Sequence, residues 1–341
     1  MMKIKGFCLL YILCTGLVSR AQEGIPVYFD YLMDNYYLVY PSMAGIGGSG
    51  KVRATARMQW FDVDDAPSLQ TINANFRIGE GPSGVGAIIF NDANGYHSQT
   101  GLKLTYAHHL RMGGSDVRVL NQFSFGLSGT LSQSSLDETE FRSAIPDPSI
   151  AGIRLSATYV NVDLGFSYNF KEFYGHFGVL NALAGSKRNI YYRDRNDDPD
   201  QLVIDNIRRY LFSVGYVFGR SEWKVEPSIL YQMTEFTKEK NFDMNMKVYK
   251  DVDFGKIWAG VSYRRSFDGA QFQTEDNFGE QRLQLITPLL GANINNFLVG
   301  YNYSYQMGDF RFDNGGFHQI TIGYNFGKEE NRFDCFCPSA Q

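Results

Sequence analysis

After residue 50 the chain alternates apolar and polar residues with a period of two, and it does so repeatedly. In 51–60, Val52, Ala54, Ala56, Met58 and Trp60 share one face, while Arg53, Thr55, Arg57 and Gln59 share the other. Val160, Val162, Leu164, Phe166, Tyr168 and Phe170 likewise oppose Asn161, Asp163, Ser167 and Asn169. Successive side chains of a strand point to opposite faces, so each such run predicts a strand with one apolar and one polar face. The runs are 51–60, 69–79, 84–91, 99–110, 117–129, 153–170, 174–182, 207–219, 222–235, 240–250, 255–265, 281–291, 296–306 and 316–326. They number about fourteen, and most are near the ~10 residues that a tilted strand needs to cross a bilayer.

The links have a rhythm of their own. After even-numbered runs they are tight: 80–83, 111–116, 171–173, 220–221, 251–254 and 292–295. After odd-numbered runs most are longer, notably 130–152, 183–206 and 266–280, with 236–239 a short exception. An even strand count with short turns at one end and long loops at the other is the pattern of an outer-membrane barrel. The expected fold is therefore all-β: an antiparallel up-and-down transmembrane barrel, with both termini periplasmic and the long loops extracellular. A soluble sandwich or propeller would also alternate. It would not explain the loop rhythm, and no repeat of 40–50 residues is visible.

Composition agrees with strands and turns rather than helices. The chain has 22 Tyr, 27 Phe and 35 Gly, and no mature stretch offers the ~18 consecutive apolar residues of a spanning helix. The first residues read as a secretory signal: Lys3 and Lys5, then an apolar stretch from Gly6 to Val18, then Ser19-Arg20-Ala21 as the cleavage site. Cys14 does not read as a lipidation site, because Tyr11-Ile12-Leu13 lacks the small residues such a site wants. Cleavage after Ala21 removes three cations and no acid, which takes the net charge from −4 to −7. An acidic chain without a basic cluster is a poor match for nucleic acid. Of four cysteines, only Cys335 and Cys337 remain, so no disulfide framework is expected even in an oxidising compartment.

The expected organisation is a signal peptide over 1–21, a periplasmic lead-in or lumen plug over 22–50, the barrel over 51–326 and a periplasmic tail over 327–341. Residues 22–50 do not alternate; they hold aromatics, Pro41 and the glycine-rich run 45–50. That run lacks the Gly-Lys-Ser/Thr ending of a phosphate loop and reads as a hinge or linker. Tyr324-x-Phe326 gives the last strand an aromatic finish suited to a barrel-assembly machine. His97, His108, His109, His176 and His318 show no metal-ligand spacing, and His108 and His109 point to opposite faces. No G-x-S-x-G elbow is present, so no enzyme is expected. Asp194, Asn196, Asp198 and Asp200 form an acidic loop that could hold calcium, but the EF-hand glycine and closing glutamate are missing, and a solvated surface loop is the plainer reading. Cys335-x-Cys337 could hold half a metal site, close a local disulfide or link to a periplasmic partner; a mobile tail is the plainer reading.

Several blocks in order resemble the PorP/SprF family of type IX secretion outer-membrane proteins. Tyr31-Leu32-Met33-Asp34-Asn35, then Tyr40-Pro41-Ser42-Met43-Ala44-Gly45, is similar to the family's opening aromatic-x-x-x-Asn and Asn-Pro-Ala-x-Ala-Gly, with Tyr40 and Ser42 as departures. Arg57-Met58-Gln59-Trp60, Ala66-Pro67, Gly84-Val85-Gly86, Asn91-Asp92, Gly95, Tyr106-Ala107-His108-His109-Leu110 and Ser124-Phe125-Gly126-Leu127 continue it. Trp223-Lys224-Val225-Glu226-Pro227-Ser228 and Gly316-Phe317-His318-Gln319 close it. The resemblance implies work with the type IX translocon. SprF-like members are similar to a dedicated partner that recognises the C-terminal sorting domain of one large secreted protein, often an adhesin, and anchors it at the cell surface. PorP-like members are similar to core components linked to a periplasmic ring of lipoproteins. The family brings no cofactor and no catalytic residue. Tyr31, Asn35, Pro41, Gly45, Cys335 and Cys337 become candidates for partner contacts. A porin or hydrophobic-solute channel is the expectation from another class.

Overall fold

The computed structural model describes residues 31–32, 34–59, 65–113, 119–141, 152–183, 208–219, 222–235, 239–274, 277–307 and 316–327, without side chains over 268–281. Fourteen strands form one closed antiparallel barrel. They are β1 (Gly50–Gln59), β2 (Ser68–Arg77), β3 (Ser83–Asn94), β4 (His97–Arg111), β5 (Asn121–Asp137), β6 (Arg154–Phe170) and β7 (Phe173–Leu180). They continue as β8 (Arg209–Tyr216), β9 (Trp223–Thr234), β10 (Lys240–Val252), β11 (Gly255–Thr274), β12 (Asn277–Ile294), β13 (Phe297–Met307) and β14 (Phe317–Phe326). Each strand pairs with its sequence neighbours, and β1 pairs with β14 from Gly50↔Phe326 to Gln59↔Phe317. Closure leaves no unpaired edge, which lets a sheet sit in lipid, where a bare N–H or C=O finds no water. No helix among the described residues is long and apolar enough to cross a membrane.

The alternation is turned inside out relative to a soluble protein. Ile72, Leu104 and Leu290 stand 58–59% exposed on the outer surface, whereas Asn73 and Gln122 are each 1% exposed on the inner one. The outward row of β1 carries Val52 and Met58, and the inward row carries buried Arg53, Thr55 and Arg57. This is the apolar-out, polar-in order of a membrane barrel. His109 faces the lumen and is buried, while His108 lies on the outer face beside Phe125.

Both chain ends of the barrel, Gly50 and Phe326, lie at one end, called here the terminal end. The short turns 171–172, 253–254 and 295–296 lie there too. At the far end the structure departs from the sequence reading. Much of 130–152 and 266–280 was expected as loop, yet β5 runs on to Asp137, and β11 and β12 run on to Thr274 and from Asn277. The ladder continues across a register shift between Arg265 and Gly269. β11 has 20 residues, about twice what a membrane crossing needs, so its outer half stands clear of the apolar belt.

Candidate functional site: a lumen filled by the N-terminal segment

Residues 31–32 and 34–46 lie inside the barrel. Their backbone folds into two short 3₁₀ turns, Tyr36–Leu38 and Pro41–Met43. Pro41 starts the second turn, where its fixed φ fits and its missing N–H costs nothing. The segment is mostly apolar, with Asp34, Asn35 and Ser42 as its polar exceptions. Tyr31, Leu32, Tyr36, Tyr37, Leu38, Val39, Tyr40, Met43, Ala44 and Ile46 are all buried in one cluster with wall residues such as Ile88, Phe90, Leu211, Leu230 and Trp258.

Polar contacts tie the segment to the wall on every side. Tyr37 donates to Thr105 on β4 at 2.9 Å, and Ser42 shares a hydrogen bond with Ser167 on β6 at 2.6 Å. His109 Nε2 donates to the Ala44 carbonyl at 3.0 Å. The Gly45 N–H donates to Asn75 on β2 at 3.0 Å, and the Arg77 guanidinium donates to the Gly45 and Ile46 carbonyls. The Gln319 amide on β14 donates to the Tyr31 carbonyl at 3.0 Å. Burial pushes the Tyr36 and Tyr37 phenols well above their ordinary value, so both stay neutral donors.

A buried polar relay surrounds Glu226. Tyr36 donates to Tyr174 at 3.0 Å, Tyr174 donates to Glu226, and Tyr249 donates to the other carboxylate oxygen. Beside it, Lys247 pairs with Asp34 at 2.7 Å, with side chains 7% and 3% exposed. The Lys247 ammonium also lies 4.7 Å from the Trp258 ring, 5.1 Å from Tyr249 and 5.7 Å from Tyr31. A buried charge needs such a partner, because desolvating it alone costs several kcal/mol.

The second 3₁₀ turn fits because the wall opposite it has no side chains. A Cβ on Gly126 of β5 would sit 2.5 Å from the Pro41 carbonyl oxygen, and one on Gly165 of β6 would sit 2.8 Å from Pro41 Cδ. Gly126→Leu is therefore expected to displace the segment, at an overpacking cost of about 1–3 kcal/mol. Chymotrypsin cleavage within 31–46 should rise while the barrel keeps its folded mobility on unheated gels. Gly129→Leu, on the outer face of the same strand with nothing within 4 Å, should leave the segment protected.

Of the sequence candidates, Tyr31, Asn35, Pro41 and Gly45 all lie in this lumen segment, where Tyr31 and Asn35 are 4% and 9% exposed. Asp194, Asn196, Asp198, Asp200, Cys335 and Cys337 lie outside the described residues. Glu226, Lys247, Tyr174 and Trp258 were not singled out as site candidates by sequence. The signal was a charge on the inward row of a spanning strand, but every barrel lumen carries such charges.

Residues 21–324 match the family described as type IX secretion system membrane protein PorP/SprF. No curated protein matches the chain. Among solved structures, the chain is similar to CdiB from Acinetobacter baumannii, with a TM-score of 0.42 and 8% identity over 82% of this chain. The match spans 60% of that protein's length. It is also similar to a loop L8 deletion mutant of OmpT, an outer membrane protein of Vibrio cholerae, with a TM-score of 0.33 and 11% identity over 82% of this chain and 98% of that one. A Salmonella typhi OmpF complex with daunomycin gives a TM-score of 0.34 and 11% identity over 82% of this chain and 96% of that one.

Proposed function

Because the chain belongs to the PorP/SprF family of type IX secretion system membrane proteins, we propose that it anchors a secreted protein at the cell surface by binding that protein's C-terminal sorting domain. A closed barrel with an apolar outer belt belongs in the outer membrane. The observation that carries the proposal is the filled lumen. Residues 31–32 and 34–46 pack against wall residues on β2, β4, β6 and β14 and so occupy the lumen. Such a barrel suits holding better than passing, and this disfavours the porin reading.

In this reading the terminal end faces the periplasm and the far end faces outward. The projecting hairpins β5–β6 and β11–β12 and the links 138–153 and 181–208 then form the cargo-binding face. A hydrogen-bonded ladder standing above the membrane offers a rigid platform, which holds a partner with less ordering cost than a loop. Contact with periplasmic ring lipoproteins would fall to the opposite end, where the lumen segment runs into β1 and where β14 ends ahead of the tail with Cys335 and Cys337.

Deleting the gene and comparing surface and secreted proteomes tests the proposal. One protein with a type IX sorting domain should leave the cell surface, while other type IX substrates stay. An unchanged surface proteome would overturn the anchoring role, and loss of every type IX substrate would place the protein in the core machinery.

A further inference from the structure

Between the N-terminal segment and the wall of β10–β14 and β1 lies a cavity of about 400 Å³. Small-molecule sites commonly span ~300–1,000 Å³. The cavity reaches the terminal end, where the turn residues Asp253, Phe254 and Asn295 line it. Four of its polar atoms are left unsatisfied among the described residues. Asp34 Oδ2, Asn35 Nδ2, Trp258 Nε1 and Asn293 Oδ1 line it, are buried and have no hydrogen-bond partner among the described residues. Four orphaned buried groups facing one space are costly unless something there pairs with them.

The charge in the cavity is lopsided. Arg53 is 6% exposed, and its guanidinium donates to the Val52 and Tyr324 carbonyls and to Asn325 Oδ1, with no carboxylate among them. Lys51 lines the same space, and so does Lys256, whose ammonium lies 4.0 Å from the Asp251 carboxylate. Of the two acids that line it, Asp34 is already paired with Lys247, which leaves Asp253 at the rim. A buried guanidinium without a carboxylate suits an anionic group on a guest, and its planar fork matches a carboxylate.

The remaining polar lining is mostly amide. Asn35, Asn293 and Asn295 can offer acceptor and donors, while Asn75 and Asn325, whose oxygens accept from the Gly45 N–H and Arg53, keep their N–H donors. That pairing matches the alternating N–H and C=O of a peptide backbone. A sugar's hydroxyls would call for more carboxylate acceptors than the lining has. We propose that this cavity binds a short extended peptide through its free C-terminal carboxylate, entering from the terminal end, with Arg53 and Lys51 on the carboxylate and the asparagine amides and Trp258 on the backbone. The proposal does not depend on the anchoring role at the far end.

The test is calorimetric titration of the full-length protein in detergent with trialanine, trialanine C-terminal amide and glucuronate. Trialanine should bind saturably, and the amide should bind about tenfold or more weakly, the loss expected for one charge-assisted hydrogen bond. Arg53→Met should weaken trialanine by a similar factor. If that variant does not fold, Lys51→Met at the same cavity should still weaken the acid more than the amide. No saturable binding at millimolar peptide, or equal binding of acid and amide, would overturn the proposal. Glucuronate binding more tightly than trialanine would overturn it in favour of a sugar-acid site.

Discussion

Removing residues 31–46 is expected to turn a silent barrel into a conducting one. The strand ladder does not need the segment, because all fourteen strands pair with one another and β1 closes directly on β14. The segment instead fills space. Barrels of about 8 strands are filled by their own side chains, whereas those of about 16–18 leave an aqueous channel. A fourteen-stranded barrel is wide enough to need a filling, and the walls behind it carry buried Arg53, Arg57, Asn73, Asn75, Lys103 and Lys247. Without the segment these groups would hydrate. In planar bilayers the intact protein should carry no steady current, and the deletion variant should open in discrete, long-lived steps. A deletion variant that folds yet stays silent would show that the lumen is sealed elsewhere.

Lys247→Met is expected to have the next largest effect, and it acts on the same segment without shortening it. The substitution keeps the length of the side chain and its packing on Trp258 and Tyr249 but leaves the Asp34 carboxylate buried and unpaired. Removing one partner of a buried pair costs about 3–5 kcal/mol. The segment would then leave the lumen about 10²- to 10⁴-fold more often. Chymotrypsin reads this directly, because Tyr31, Tyr36, Tyr37 and Tyr40 are buried while the segment is seated. Adding Asp34→Asn should recover most of the protection, since the stranded charge is gone. If the double variant is cleaved as fast as Lys247→Met alone, the ion pair is not what seats the segment.

The strands were legible because the bilayer writes them into the sequence. Wherever a strand faces lipid on one side and a polar lumen on the other, the period of two is forced. The Val52-to-Met58 and Val160-to-Phe170 rows show it cleanly. The pattern fades where β5 leaves the membrane. From Leu131 to Ser135 the inward row stays polar and buried with Ser132 and Ser134, but the outward row turns polar too, with Gln133 and Ser135. The backbone ladder is indifferent to that change, so the strand continues while its signature stops. The same holds for the outer half of β11, which falls in the stretch 266–280 expected as a loop and where the structure shows a register shift within the strand.

The lumen segment was only half legible. Its aromatics, Pro41 and lack of alternation set it apart, but the sequence left a lead-in and a plug equally open. Its seat depends on matches between distant positions. Gly126 and Gly165 leave room for Pro41, Thr105 meets Tyr37, and Lys247 meets Asp34 across 213 residues. A glycine inside a strand says only that something approaches closely, not what does. The cavity beside the segment is harder still to foresee, because Arg53, Asn293 and Asn325 look like any lumen residues until the barrel closes.

The most direct test of the anchoring role is affinity purification of the full-length protein from solubilised outer membranes, followed by identification of what comes with it. The account predicts one large secreted protein in near-equal amount, carried by its C-terminal sorting domain and lost when that domain is removed from the secreted protein. Purification of the barrel with periplasmic lipoproteins alone, or with no secreted protein, would contradict it.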